Sequence, residues 1–343
     1  ARITFEIPNG WSLSSTEKKT DANVLETNDL EKSIAVAGKF LRERQINAGT
    51  SRMKILTDGE WLFTDTEAAE MAGEIFEEYA KLFGGEPGAT VQIAILKFSN
   101  PARTGNWEAE TRGRNITIVS SDMPFKAQSL QRLHEQLRHE IFHLWLPNGV
   151  NLGGNYDWFF EGFALYQSLK TGVLLNRISF DDFLDTLTRA HNMDSLPVQR
   201  ISLIEASKNR WSGTNTQVYA RGMLVAFLCD IALLQRSKGK IAVADIFKQV
   251  YDKHRPPNGN VDGNTAIINI LQANPELEPI IDKYIKGSQK VEWQADLTAA
   301  GIDSTGENGR TNLKVRAKPS GRQKDLLDKL GYNSWRKLSP KSK

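Results

Sequence analysis

The sequence predicts an α+β protein in which a small mixed sheet precedes a helical lobe. Three observations carry this expectation. Before residue 125, and apart from one helix, the ordered segments alternate apolar and polar residues, as in Val91-Gln-Ile-Ala-Ile-Leu-Lys-Phe98. From about Ala127 the apolar spacing changes to three and four. Pro147, Gly172 and Pro256-Pro257 then divide the rest into separate helices.

In chain order, Arg2-Ile-Thr-Phe-Glu-Ile7 alternates like a strand and Pro8-Asn-Gly10 turns it. The polar stretch from Ser12 to Asp29 is expected to be loop, with further strands over 34–46 and 52–56. A helix is expected over 65–83. Thr64 and Glu67 have capping-box spacing, Ala68, Ala72, Ile75, Phe76, Tyr79, Leu82 and Phe83 share one face, and Gly84-Gly85 ends it. Val91–Phe98 reads as a half-buried strand and Asn115–Val119 as an edge strand, joined by a polar loop over 99–114. Helices are expected near 127–146, 158–171, 180–192, 215–236, 242–254 and 276–286.

Composition narrows the function classes. With 40% hydrophobic and 25% charged residues in 343, the chain can bury a large core. Its one cysteine, Cys229, lies in an apolar run, which predicts a buried structural thiol and excludes an intramolecular disulfide. That run, Met223 to Leu234, is interrupted by Asp230 and is short for a bilayer, so no transmembrane segment is expected. The first residue is Ala1, with no start methionine or apolar leader, as expected of a processed or trimmed chain. The net charge of +3 is uneven: residues 309–343 hold eleven Lys/Arg against Asp325 and Asp328, leaving 1–308 net acidic. A basic tail on an acidic body predicts no nucleic-acid partner.

The chemistry is concentrated in His139-Glu140-Ile141-Phe142-His143. Residues four apart share a helix face, so both imidazoles can reach one ion at roughly 2.0–2.1 Å. Glu140, one step round the helix, is placed to take a proton from the metal's water without being a ligand itself. A catalytic zinc takes three protein ligands, which calls for a third donor downstream. Glu161 meets that need, because Trp158, Phe159, Phe160 and Phe163 surround it with apolar bulk where an unpaired carboxylate is costly. Asp157 is placed to cap this helix. On its own, Tyr219 reads as a half-buried helix aromatic.

These motifs together resemble the gluzincin metallopeptidases. His139-Glu-x-x-His143-x-Trp145, Trp158-Phe-x-Glu161-Gly-Phe and Tyr219-x-Arg-Gly222 are most similar to the glycyl aminopeptidase family, whose pattern reads HExFHxW, WFxEGF and YxKG. The match is strong over 130–235, and Ile3 to Phe40 resembles the end of that family's N-terminal β domain. The resemblance implies a thermolysin-like zincin catalytic domain holding one Zn2+ per chain. His139, His143 and Glu161 would be the ligands, Glu140 the base, and Tyr219 the hydroxyl that supports the oxyanion. It also implies an anionic group for the substrate's free amine. Glu108, in Gly105-Asn-Trp-Glu108, is the best candidate, with Glu110 almost as well placed and a solvated loop carboxylate the plain alternative. The basic residue of the third motif is Arg221 instead of lysine.

The implied organisation is the end of a β-rich domain over 1–50, a catalytic domain over 51–290 (sheet part 51–125, helical lobe 126–290) and a C-terminal extension with the basic tail over 291–343. The expected function is a zinc peptidase acting on peptide or protein substrates, as an aminopeptidase releasing small N-terminal residues. An endopeptidase with the same site and a non-catalytic zinc or peptide-binding module remain alternatives.

Overall fold

The computed structural model describes residues 1–343 except 101, 197–198, 308–309 and 334–343. The chain forms two compact units, Ala1–Val150 and Asn151–Lys343, of mixed α+β composition.

The first unit begins with β1 (Arg2–Thr4), β2 (Ser12–Ser15), β3 (Lys18–Asp21), β4 (Val24–Glu26) and β5 (Ala35–Gly38). The stretch expected as loop over 12–29 is therefore three strands. β1 and β3 flank β4, and β2 pairs with β5. Sequence alternation hides them because β3 exposes every side chain and shifts register between Lys19 and Asp21, leaving the burial to Val24 and Leu25 of β4.

β6 (Arg42–Ala48), β7 (Ser51–Thr57), α1 (Asp65–Phe83), β8 (Thr90–Lys97), β9 (Trp107–Arg112), β10 (Asn115–Ser120) and α2 (Lys126–Phe142) follow. Five of these strands form one sheet in the order β6-β7-β8-β10-β9. β7, β8 and β10 run parallel, and the outer strands β6 and β9 are antiparallel to their neighbours. β9 occupies part of the expected 99–114 loop and makes the sheet edge, so β10 is an inner strand. Asn115, at the start of β10, is buried and donates a hydrogen bond to the Thr16 hydroxyl at 3.0 Å.

β8 is buried on both faces from Val91 to Ile95 instead of half-buried. The helices cover one face, and the other carries a cluster of Leu56, Ala94 and Val36 with Ile34, Leu41 and Leu96. α1 has the expected capping box and ends on Gly84 in the left-handed region, φ 73°. Its Tyr79 hydroxyl donates to the Arg138 carbonyl at 2.7 Å, fixing α2 one residue before His139.

The second unit contains β11 (Leu152–Gly153), a π-helical turn over Trp158–Phe163 that runs into α3 (Ala164–Leu174), then α4 (Phe180–Ser195) and α5 (Leu203–Lys208). A second π-helical turn, Gln217–Arg221, opens α6 (Gly222–Ser237). α7 (Val243–His254), β12 (Val261–Asp262), α8 (Gly263–Gln272) and α9 (Glu278–Ile280), the last within a mixed helical run, come next. α10 (Gln294–Ala300), the hairpin β13 (Ile302–Glu307) and β14 (Arg310–Val315), and α11 (Gly321–Leu330) complete the unit. The final part of the basic tail, 334–343, lies outside the described residues.

α6 is the centre of this unit. α3, α4, α7, α10 and α11 all pack on it, and Cys229 is fully buried there, its thiol pushed up by that burial. The π-helical turn lengthens the helix beyond the apolar run seen in sequence, to 21 residues over Gln217–Ser237. By length and composition alone it is long enough to cross a membrane, and 83% of its apolar window is buried inside the protein. That is the arrangement of a core helix.

Candidate metal centre

The residues singled out in the sequence lie in both units. In the first, α2 ends at Phe142, earlier than the 146 expected, yet His143 keeps helical angles (φ −67°, ψ −12°). The spacing of four therefore still aligns the imidazoles. Their Nε2 atoms are 3.1 Å apart and both rings are buried. Two ligands at the usual zinc–nitrogen distance and tetrahedral angle are separated by roughly 3.3 Å, so the pair is spaced for one ion. The His143 Nδ1–H donates to the Leu146 carbonyl at 2.9 Å, which fixes the tautomer and leaves Nε2 as the donor to a metal.

The turn after His143 is anchored from two sides. Trp145 stacks on Phe83 with ring centroids 5.3 Å apart and donates through Nε1 to the Gly85 carbonyl at 2.8 Å. Asn148 accepts from the Gly113 backbone at 2.7 Å and donates to the carbonyls of Thr111 (3.0 Å) and His143 (3.1 Å). Asn148 thus ties the β9–β10 hairpin to the histidine turn. No motif in the sequence marks it.

Glu140 is 4% exposed, and its carboxylate accepts from the Thr111 hydroxyl on β9 at 2.7 Å. The same hydroxyl lies 3.0 Å from the Glu140 carbonyl. Glu108 and Glu110 are on β9 itself and exposed, Glu110 pairing with Arg112 at 2.6 Å. Strand side chains alternate, so Trp107, Ala109 and Thr111 share the half-buried face while Glu108 and Glu110 point to the other.

In the second unit, Glu161 is buried in the π-helical turn Trp158–Phe163. Asp157 does not cap this turn. Its own backbone is helical, and its carboxylate pairs instead with Arg210 Nη1 at 2.8 Å. Arg210 Nη2 is 2.9 Å from Glu161 Oε1 and also donates to the hydroxyl of half-buried Tyr219. Burial alone would lower the Arg210 guanidinium, but Glu161, Asp157 and Tyr219 hold it above its ordinary value. Arg221 is fully buried in an ion pair with Asp194 at 2.9 Å and donates to the Ile201 carbonyl, so this motif position anchors the turn that carries Tyr219.

The two π-helical turns meet at glycine. A Cβ on Gly162 would lie 2.5 Å from the Gly222 Cα and 2.7 Å from the Val218 carbonyl oxygen, and one on Gly222 would lie 2.8 Å from the Gly162 Cα. No side chain fits between them, which explains glycine after Glu161 and after Arg221. His134, His191 and His254 lie outside these arrangements. His139 and His143 in the first unit and Glu161 in the second are all buried side chains of metal-ligating type.

No protein-family model matches the chain, and no curated protein matches it. Solved structures do. An aminopeptidase N family protein from Idiomarina loihiensis superposes with a TM-score of 0.77 at 15% identity, over 94% of this chain and 61% of its own. An M1 zinc metallopeptidase from Deinococcus radiodurans gives 0.56 at 15% identity, over 85% of this chain and 63% of its own. A variant of that enzyme described as bound to a Tyr-Ser-Ala substrate gives 0.57 at 15% identity, over 85% and 64%. The chain thus spans less than two thirds of the length of these structures. Two imidazoles and one carboxylate are the donors of a catalytic zinc site. The chain therefore has the fold of the zinc metallopeptidases it is similar to, and Zn2+ is the ion for which the imidazole pair of His139 and His143 is spaced.

Proposed function

We propose that this protein is a zinc-dependent peptidase with a thermolysin-like catalytic domain, acting as an aminopeptidase that releases small N-terminal residues. The observation that carries the reading is the buried pair of imidazole Nε2 atoms, 3.1 Å apart, with the Glu140 carboxylate on the same helix. Glu161 is the third donor. When bound, one zinc per chain supplies a Lewis acid that polarises the scissile carbonyl and lowers the pKa of water toward about 7.

The chain's own residues do the rest. Glu140 takes a proton from the attacking water and passes it to the leaving amine, so one carboxylate serves first as base and then as acid. The Thr111 hydroxyl, donating to Oε2, holds that carboxylate in a single orientation and leaves Oε1 for the proton. Tyr219 donates its phenolic hydrogen to the carbonyl oxygen as negative charge develops. The open edge of β9 is suited to pairing with an extended peptide. The narrower likeness to glycyl aminopeptidases rests on the three motifs and suggests glycine or alanine as the released residue.

Zinc content and turnover test the reading together. The purified protein is expected to contain about one zinc per chain and to hydrolyse glycyl and alanyl arylamides. Chelation should abolish the hydrolysis and zinc should restore it. A metal-free protein, or chelator-insensitive turnover, removes the basis for the proposal.

Glu108 is the proposed contact for the substrate's free amine. Glu108→Gln is expected to raise KM for alanyl arylamide about tenfold or more while kcat changes less than about threefold, the size expected for losing a hydrogen bond to a charged group. One observation favours a second reading, an endopeptidase using the same zinc site: alternation along β9 turns Glu108 to the face away from Thr111 and Glu140. N-acetylated peptides separate the two, since an aminopeptidase loses them as substrates and an endopeptidase does not.

A further inference from the structure

Arg210 matches none of the motifs above, yet it contacts Asp157, Glu161 and Tyr219. It stands on a short 3-10 turn, and its side chain is 13% exposed. A guanidinium offers five N–H donors in a rigid plane and accepts nothing. Here the two hydrogens of Nη2 are divided between Glu161 Oε1 and the Tyr219 hydroxyl, while Nη1 is held by Asp157. Trp211, 87% exposed, lies against the guanidinium with its ring centroid 4.7 Å away.

We propose that Arg210 is a positioning residue, which by holding Glu161 and Tyr219 through one nitrogen keeps a metal-ligating carboxylate and an oxyanion-binding phenol in a fixed mutual geometry. The inference rests on the zinc-peptidase reading above. Two consequences follow from the donor count. Glu161 Oε1 is engaged by Arg210, which restricts the rotamers open to the carboxylate that would hold the ion. The Tyr219 oxygen can only accept from Arg210, so that contact does not use the phenolic hydrogen. Arg210 also offsets the negative charge of Asp157 and Glu161, two buried or half-buried carboxylates within one turn of each other.

The experiment uses Arg210→Met and Arg210→Lys in the full chain, each alone and combined with Tyr219→Phe. Zinc dissociation constants are measured by competition with a chromophoric chelator, and kcat and KM at saturating zinc. Arg210→Met is expected to weaken zinc binding about 10–100-fold, the usual effect of removing a partner behind a metal ligand. It should also lower kcat roughly 30-fold with KM within about threefold, which is the signature of an interaction needed only in the transition state. In the Tyr219→Phe background that kcat effect should shrink to less than about threefold, because the phenol through which Arg210 acts is gone. Arg210→Lys keeps the charge without the planar fork and is expected to show the same coupling, so the test stands even where the methionine variant does not fold. Unchanged zinc affinity together with equal kcat effects in both backgrounds overturns the proposal. A wild-type protein that binds zinc and hydrolyses no peptide overturns the peptidase reading instead, and the chelator competition still decides whether Arg210 supports the Glu161 ligand.

Discussion

Glu140→Gln is expected to abolish turnover while leaving the protein folded and metal-loaded. Glutamine has the shape of glutamate, and its carbonyl oxygen can still accept the 2.7 Å hydrogen bond from Thr111. Nothing in the packing of this buried position has to change. What is lost is a group able to take a proton, and a positioned general base contributes about 10²–10⁴ in rate. Since the same carboxylate also protonates the leaving amine, the upper part of that range applies, and kcat should fall at least about 10³-fold. The check is a pair of measurements, kcat on alanyl arylamide and zinc content on the same preparation. Activity above about a tenth of wild type in a zinc-loaded variant removes Glu140 from the mechanism.

The second large effect is structural. Gly162→Ala places a methyl carbon 2.5 Å from the Gly222 Cα and 2.7 Å from the Val218 carbonyl oxygen, distances that only backbone movement can relieve. Overpacking of this kind costs typically 1–3 kcal/mol and occasionally more. Both obstacles here are main chain, so we expect about 3 kcal/mol, or a fall in Tm of roughly 6–12 °C for a unit of this size. The displaced segments are the two π-helical turns that carry Glu161 and Tyr219, so zinc affinity and kcat should fall with stability. Gly222→Ala should behave alike, its Cβ meeting the Gly162 Cα and the Trp158 carbonyl oxygen, each at 2.8 Å. Thermal unfolding with and without added zinc measures both. An alanine variant with unchanged Tm and zinc affinity shows that the turns do not depend on this approach.

The contrast between these positions follows the range of the interactions involved. His139, Glu140 and His143 are legible in sequence because their relation is local: four residues along a helix bring two side chains to one face, whatever the rest of the chain does. The capping box of α1 is legible for the same reason. Glu161 is legible through its apolar neighbours, which make an unpaired carboxylate costly there. β3 escapes notice because an exposed strand carries no hydrophobic period, and β2 and β4 because strands of four and three residues are too short to show one. β9 escapes notice because it is an edge whose half-buried face needs only Trp107, Ala109 and Thr111, so neither the alternation that turns Glu108 outward nor the Thr111 contact to Glu140 stands out in sequence.

By itself, then, the sequence determined the α+β class, the main helices, the imidazole pair and the carboxylate beside it, all of which rest on spacings within one element. Tertiary structure alone decided the rest: the π-helical backbone beneath Glu161 and Tyr219, the glycine-to-glycine approach of those turns, the hold of Asn148 on the histidine turn, and the reach of Arg210 to partners 53 and 9 residues away in sequence. The physical reason is that hydrogen bonds and close contacts between remote segments leave no periodic trace in either segment, and exist only once packing has brought the two together.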